Sequence, residues 1–190
     1  MGKSLTLNDI LYVGDTEGVS GYAQSTRRVV FCLQDAGSNI FAKYVPHDSN
    51  ITKDVSTLNR IRSLYGERGS IVIHQQIPHM FQPVRNSYNI GFTMFETTKI
   101  PNEWLKHISK MDEIWVPSQH NKNVFSRSGV TVPIHVMPLP VDTNIYCPAT
   151  IKSSDSFRFL SVFQWTERKN WKDLLRAYFS EFSYGENTEL

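Results

Sequence analysis

Four short stretches of the chain bring glycine, carboxylate, imidazole or cationic side chains together at spacings that suit a ligand. The first is Gly14-Asp15-Thr16-Glu17-Gly18-Val19-Ser20-Gly21. Its glycines let backbone approach a ligand, and a helix beginning just after it favours an anion at its N-terminus. A tight turn with no ligand accounts for the same residues. The spacing is G-x3-G-x2-G rather than G-x-G-x-x-G, and Tyr44-Val45-Pro46 supplies no acidic residue where a ribose would need one. A nicotinamide cofactor is therefore not expected.

The second stretch is His74-Gln75-Gln76-Ile77-Pro78-His79. Two histidines five apart lack the further ligands a metal needs, so His74 reads as a polar cleft wall or as a satisfied structural histidine. The third is Phe95-Glu96-Thr97-Thr98. Glu96 suits acid–base work or a bond to a sugar hydroxyl. It equally suits a helix cap or a salt-bridged loop. The fourth is Gln164-Trp165-Thr166-Glu167-Arg168-Lys169-Asn170. Arg168 and Lys169 at the start of a helix offer charge and free N–H groups to a diphosphate.

The elements that must position these stretches follow from hydrophobic periodicity. Short apolar runs predict strands over 10–13, 39–45, 70–74, 89–95, 112–116 and 132–137. Longer amphipathic runs predict helices over 22–36, 53–65, 101–109 and about 118–128. Gly37, Gly66 and Gly129 follow three of these helices as stops, and Ser118 and Pro101 stand at starts. Alternating helices and short apolar strands predict an α/β fold: a Rossmann-like, doubly wound parallel sheet over 1–137. The proline-rich stretch 138–156 reads as a linker. Beyond it, a strand over 157–163 and a helix over 168–182 read as the opening of a second, incomplete Rossmann-like domain. A lone strand–helix unit cannot bury its own apolar face.

Composition narrows the classes. With 190 residues, 40% of them hydrophobic and 20% charged, a folded core is expected. A net charge of +2 gives no bulk attraction for nucleic acid or anionic membrane. Two cysteines, Cys32 and Cys147, exclude a disulfide scaffold or cysteine-rich zinc module, and each is expected as a small buried hydrophobe. No apolar leader or membrane-length run is visible, so a cytoplasmic protein without a transmembrane segment is expected.

The order of segments resembles the B-type-fold glycosyltransferases of glycosyltransferase family four. The carrying pieces are Phe95-Glu96-Thr97 with Ile100-Pro101 and Trp104, then Met111 to Ser118, Ser128-Gly129-Val130, Met137-Pro138 with Val141-Asp142, and Pro148. Phe159 to Phe163, Arg168-Lys169-Asn170-Trp171 and Leu174 to Tyr178 complete the set. The resemblance implies two facing Rossmann-like domains, the first holding the acceptor and the second the nucleotide-sugar. It implies transfer of a sugar from a nucleotide-diphosphate donor to an acceptor hydroxyl, with no bound metal and no cofactor. It places Gly18 and Gly21 near donor phosphate and acceptor, and Lys169 on the diphosphate. The family's frequent Arg after the first strand of the second domain is here Gln164, and its His after the fourth strand is here replaced by Phe95-Glu96. Glu96 is thus a candidate on position alone, and Arg168 a candidate substitute. The later carboxylate pair is absent, so the 190-residue chain alone is expected to be inactive or nearly so. The alternative is a non-catalytic Rossmann-like module that binds carbohydrate, or a partner subunit that completes it.

Overall fold

The computed structural model describes residues 9–47, 49–148 and 155–190. Residues 149–154, which fall in the expected linker, lie outside the described residues. The chain divides into two compact units, Met1–Tyr146 and Cys147–Leu190. Residues 138–146, expected as linker, belong to the first unit. Leu139 packs against its core, and the Arg28 guanidinium donates to the Tyr146 hydroxyl at 2.9 Å.

The first unit is an α/β Rossmann-like domain. Its strands are β1 (Ile10–Gly14), β2 (Ile40–Tyr44), β3 (Ile71–Gln75), β4 (Tyr88–Phe92), β5 (Glu113–Val116) and β6 (Ile134–Val136). They form one parallel sheet in the order β2-β1-β3-β4-β5-β6. Its helices are α1 (Gly21–Asp35), α2 (Val55–Arg62), α3 (Asn102–Ile108) and α4 (Gln119–Arg127).

The inner strands β1, β3 and β4 are buried on both faces over most of their length, as parallel sheets require, while the edge strands β2 and β6 are partly exposed. Register sets the division. Tyr12 pairs with Ala42 and Ile73, and Ile73 with Ile90, so these share a face. That face packs on Val30 of α1 and Ile61 of α2. Ile114 and Val116 point the other way, onto Trp104 and Ile108 of α3 and Val124 and Phe125 of α4. Helices therefore cover both faces, and the sheet is doubly wound. Local signals set the ends. Ser20 caps α1 by accepting the Ala23 N–H at 3.1 Å, and Ser118 caps α4 by accepting the Asn121 N–H at 3.2 Å. Gly37 and Gly129 take φ of +84° and +96°, the left-handed conformation that stops α1 and α4.

Cys32 and Cys147 are both exposed, against the expectation of burial. On α1 the core is reached by Ala23, Thr26, Arg27 and Val30, and Cys32 falls off that stripe.

The second unit contains β7 (Phe157–Arg158), a 3-10 turn over Glu167–Lys169, α5 (Trp171–Glu181) and β8 (Thr188–Glu189). β7 and β8 pair in parallel, joined by α5 as crossover. The expected strand over 157–163 is cut to two residues. A strand lasts only as long as its neighbour, and β8 ends at Glu189, whose carbonyl accepts the Phe159 N–H at 2.8 Å. Phe159 meets Phe157, Tyr178 and Phe182 in an aromatic cluster that ties the helix to the strand pair.

Candidate functional site

In an open parallel sheet, ligands bind beyond the carboxyl ends of the strands where strand order reverses. Here that point lies between β1 and β3; the glycine loop follows β1, and Gln76 follows β3, whose last two residues are His74 and Gln75.

The glycine loop is held from within. The Gly18 N–H donates to Asp15 Oδ1 at 2.7 Å. A Cβ on Gly18 would sit 2.2 Å from Asp15 Oδ2, so any other residue there must displace the Asp15 carboxylate. Arg27, buried on α1, donates to the carbonyls of Thr16 and Gly18 at 3.1 and 2.8 Å. Burial lowers its pKa. Glu17 is 5% exposed and takes both arms of the Arg62 guanidinium at 2.7 Å, with the Tyr65 hydroxyl donating to it at 2.7 Å. The Arg62 hydrogen bonds hold the Glu17 carboxyl below the usual carboxylate range, and burial pushes the Tyr65 phenol up to about 12. The carboxylates of this loop thus shape backbone. Gly21 is different: it is exposed, opens α1, and a Cβ there would meet nothing within 4 Å.

Behind the loop runs a buried hydrogen-bonded chain. The Tyr12 hydroxyl donates to Gln75 Oε1 at 2.5 Å, Gln75 Nε2 donates to Ser25 Oγ at 2.6 Å, and the Ser25 hydroxyl donates to the Tyr22 carbonyl at 2.9 Å. Burial raises the Tyr12 pKa well above its ordinary value, so its proton stays in this chain. The chain ties β1 and β3 to the first turn of α1, which carries Tyr22.

Tyr22 stacks on His47, which follows β2, with ring centroids 5.5 Å apart and planes 4° from parallel. Burial pushes the Tyr22 phenol up. The Thr93 side chain and the Met94 backbone oppose that, and the Glu96 carboxylate adds to it. Glu96 itself is exposed, in the segment after β4. The structure therefore brings together Gly21, Tyr22 and His47 at the carboxyl edge, with the Glu96 carboxylate near enough for its charge to act on the Tyr22 phenol. Sequence reasoning missed Tyr22 and His47. Tyr22 sits on the apolar stripe of a helix, and only its place directly after Gly21 marks it.

His74 lies within β3, 2% exposed, on the sheet face opposite Tyr12. It is apart from the Tyr22 group. Burial lowers its pKa, which keeps the ring neutral. Gln75, on the Tyr12 side, is the residue of this stretch that reaches α1.

Arg168 and Lys169 are exposed in the second unit's 3-10 turn. Asn170 follows at φ +53° and precedes α5. Glu167 is engaged by Lys172 at 2.7 Å. Among the described residues, neither Arg168 nor Lys169 has an ion-pair partner. The Trp165 and Trp171 rings flank the turn with centroids 5.0 Å apart.

Among the described residues, no group of three or more His, Cys, Asp or Glu side chains is gathered to hold a metal, and no helix is long and apolar enough to cross a membrane. Comparison with protein-family models, with curated proteins and with solved structures finds no match.

Proposed function

We propose that the chain is part of a glycosyltransferase that moves a sugar from a nucleotide-diphosphate donor to an acceptor hydroxyl. The observation that carries the reading is the cationic turn of the second unit. Two exposed cations with no ion-pair partner among the described residues stand one residue before α5, where a diphosphate gains both charge and helix-end N–H groups. In this reading Lys169, with Arg168, stabilises the departing diphosphate electrostatically. The acceptor lies on the first unit. There the glycine loop, Gly18 buried and Gly21 open, allows close approach, and Glu96 orients the acceptor hydroxyl as a hydrogen-bond acceptor. The nucleotide-sugar is a substrate, and no cofactor enters the reading. The chain alone is expected to turn over little or no donor.

Trp165 and Trp171 give a direct readout. Titration with uridine or guanosine diphosphate is expected to quench tryptophan fluorescence, and R168A/K169A should lose the effect. Absence of quenching, or quenching unchanged in the double variant, would remove the basis of the proposal.

A further inference from the structure

A groove of about 410 Å³, within the range of small-ligand sites, lies against α1 in the first unit. Gln24 and Arg28, one helical turn apart, line it from α1. Gln24 is turned about 200° around the helix from Tyr22, so the groove is on the other side of α1 from the Tyr22–His47 stack. Thr52 and Thr57 line it from the segment leading into α2, and Asp142 and Ile145 from the turn that follows β6. These side chains present surface. Gln24 and Asp142 are exposed, and Arg28, Thr52 and Thr57 are half-buried. Ile145 and Val19, which joins the lining from the glycine loop, are 70% and 45% exposed.

The lining is held in place by bonds that leave part of each polar group for a ligand. The Asp142 carbonyl accepts the Ile145 and Tyr146 N–H groups at 3.2 and 2.9 Å, which closes the turn. Asp142 Oδ1 accepts the Asn144 N–H at 2.9 Å, and the carboxylate remains an acceptor. One arm of Arg28 donates to the Tyr146 hydroxyl at 2.9 Å, with the guanidinium carbon 5.0 Å from the Tyr146 ring centroid. The other N–H groups of that guanidinium remain donors. Gln24 Nε2 donates to the Val19 carbonyl at 3.2 Å and keeps Oε1 as an acceptor. The Thr57 hydroxyl donates to Asp54 Oδ2 at 2.7 Å, so its oxygen can only accept. Thr52 Oγ1 accepts the Asp54 N–H at 3.4 Å and keeps its hydrogen to give. Among the described residues neither Arg28 nor Asp142 has an ion-pair partner.

We infer that this groove holds one ring of a neutral sugar, with its hydroxyls on Arg28, Thr52, Gln24 and Asp142 and its C–H face on Val19 and Ile145. Donors and acceptors are interleaved in the lining, and a hydroxyl is the group that both gives and takes a hydrogen bond. A phosphate only accepts and would meet the Asp142 carboxylate. An ammonium only donates and would meet the Arg28 guanidinium. A zwitterion would occupy those two charges and leave Gln24, Thr52 and Thr57 unused. Such binding needs neither a nucleotide donor nor the cationic turn, so it stands or falls apart from the sugar-transfer reading.

The probes are the methyl glycosides of glucose, galactose, mannose and N-acetylglucosamine, each titrated into the labelled full chain without nucleotide. Tetrahydropyran, the ring without hydroxyls, and alanine, a zwitterion, are the controls. At least one glycoside should give saturable amide shifts at Gln24, Arg28, Thr52 and Thr57 and intermolecular nuclear Overhauser contacts to the Val19 and Ile145 methyl groups, while both controls leave them unmoved. Asp142→Asn keeps the Asn144 bond and removes the charge from an exposed position. It should weaken that glycoside about tenfold, the worth of a hydrogen bond to a charged acceptor, with the amide spectrum away from the turn unchanged. Sugar binding in this groove is refuted if none of the four glycosides moves these residues, if tetrahydropyran or alanine moves them as strongly, or if D142N binds the glycoside as tightly as the unaltered chain.

Discussion

The two units use the same strand–helix–strand grammar and reach different ends. In the first, helices on both faces of six strands seal Tyr12, Ile114 and Phe125 completely. In the second, one helix covers two strands of two residues each, and Trp165, Phe179 and Val162 remain 68%, 73% and 87% exposed. The residue types hardly differ, since both units are rich in aromatic and branched side chains. What differs is the number of layers: a sheet needs cover on both faces before its apolar residues leave water. In the proposed reading this contrast becomes a division of labour. The well-packed unit would present Tyr22, stacked on His47, to the acceptor, while the second would offer its exposed cationic turn to the diphosphate.

Substitutions can sharpen that contrast. The largest effect is expected from Phe125→Ala, which empties a fully buried site and should cost the first unit about 3–5 kcal/mol in urea unfolding. A loss under about 1 kcal/mol would mean the α4 layer is far looser than described. Next is Gly69→Ala, where a Cβ would lie 2.5 Å from the Leu11 backbone nitrogen. It should cost about 1–3 kcal/mol by the same assay.

A smaller effect belongs to the glycine loop. Glu17→Gln breaks the pair with half-exposed Arg62 and should cost about 1 kcal/mol at neutral pH. The folded Glu17 pKa is depressed, so its contribution is present above the unfolded pKa and lost as pH falls through the folded value. Unfolding midpoints of the unaltered chain and E17Q should therefore converge on acidification below the usual carboxylate range, and parallel curves would refute the pairing. The smallest effect is Phe179→Ala in the second unit, expected within about 0.5 kcal/mol because the ring is already in water.

Much of the first unit could be read from sequence because its signals are local. Strand runs such as Ile10 to Val13, the Ser118 cap, and the stops at Gly37 and Gly129 each need only neighbours in the chain. The strand over 157–163 failed because strand length depends on a pairing partner, which an apolar run does not disclose. Cys32 failed because average burial of cysteine was applied without placing it on the helix wheel. For the candidate site, position in the chain was enough to put Gly18 and Glu96 in segments beyond strands and Gly21 at the start of α1. The links from Arg62 to Glu17 and from Tyr12 through Gln75 to Ser25 join residues dozens of positions apart, and periodicity carries no record of them.

The division of labour is tested most directly by mapping amide shifts in one labelled sample titrated first with uridine diphosphate and then with a neutral trisaccharide. The account predicts two separate sets of perturbed residues. The diphosphate should move Glu167 to Trp171, and the sugar should move Gly21, Tyr22, His47 and Glu96. Shifts from the diphosphate confined to the glycine loop, or a common set for both ligands, would contradict it.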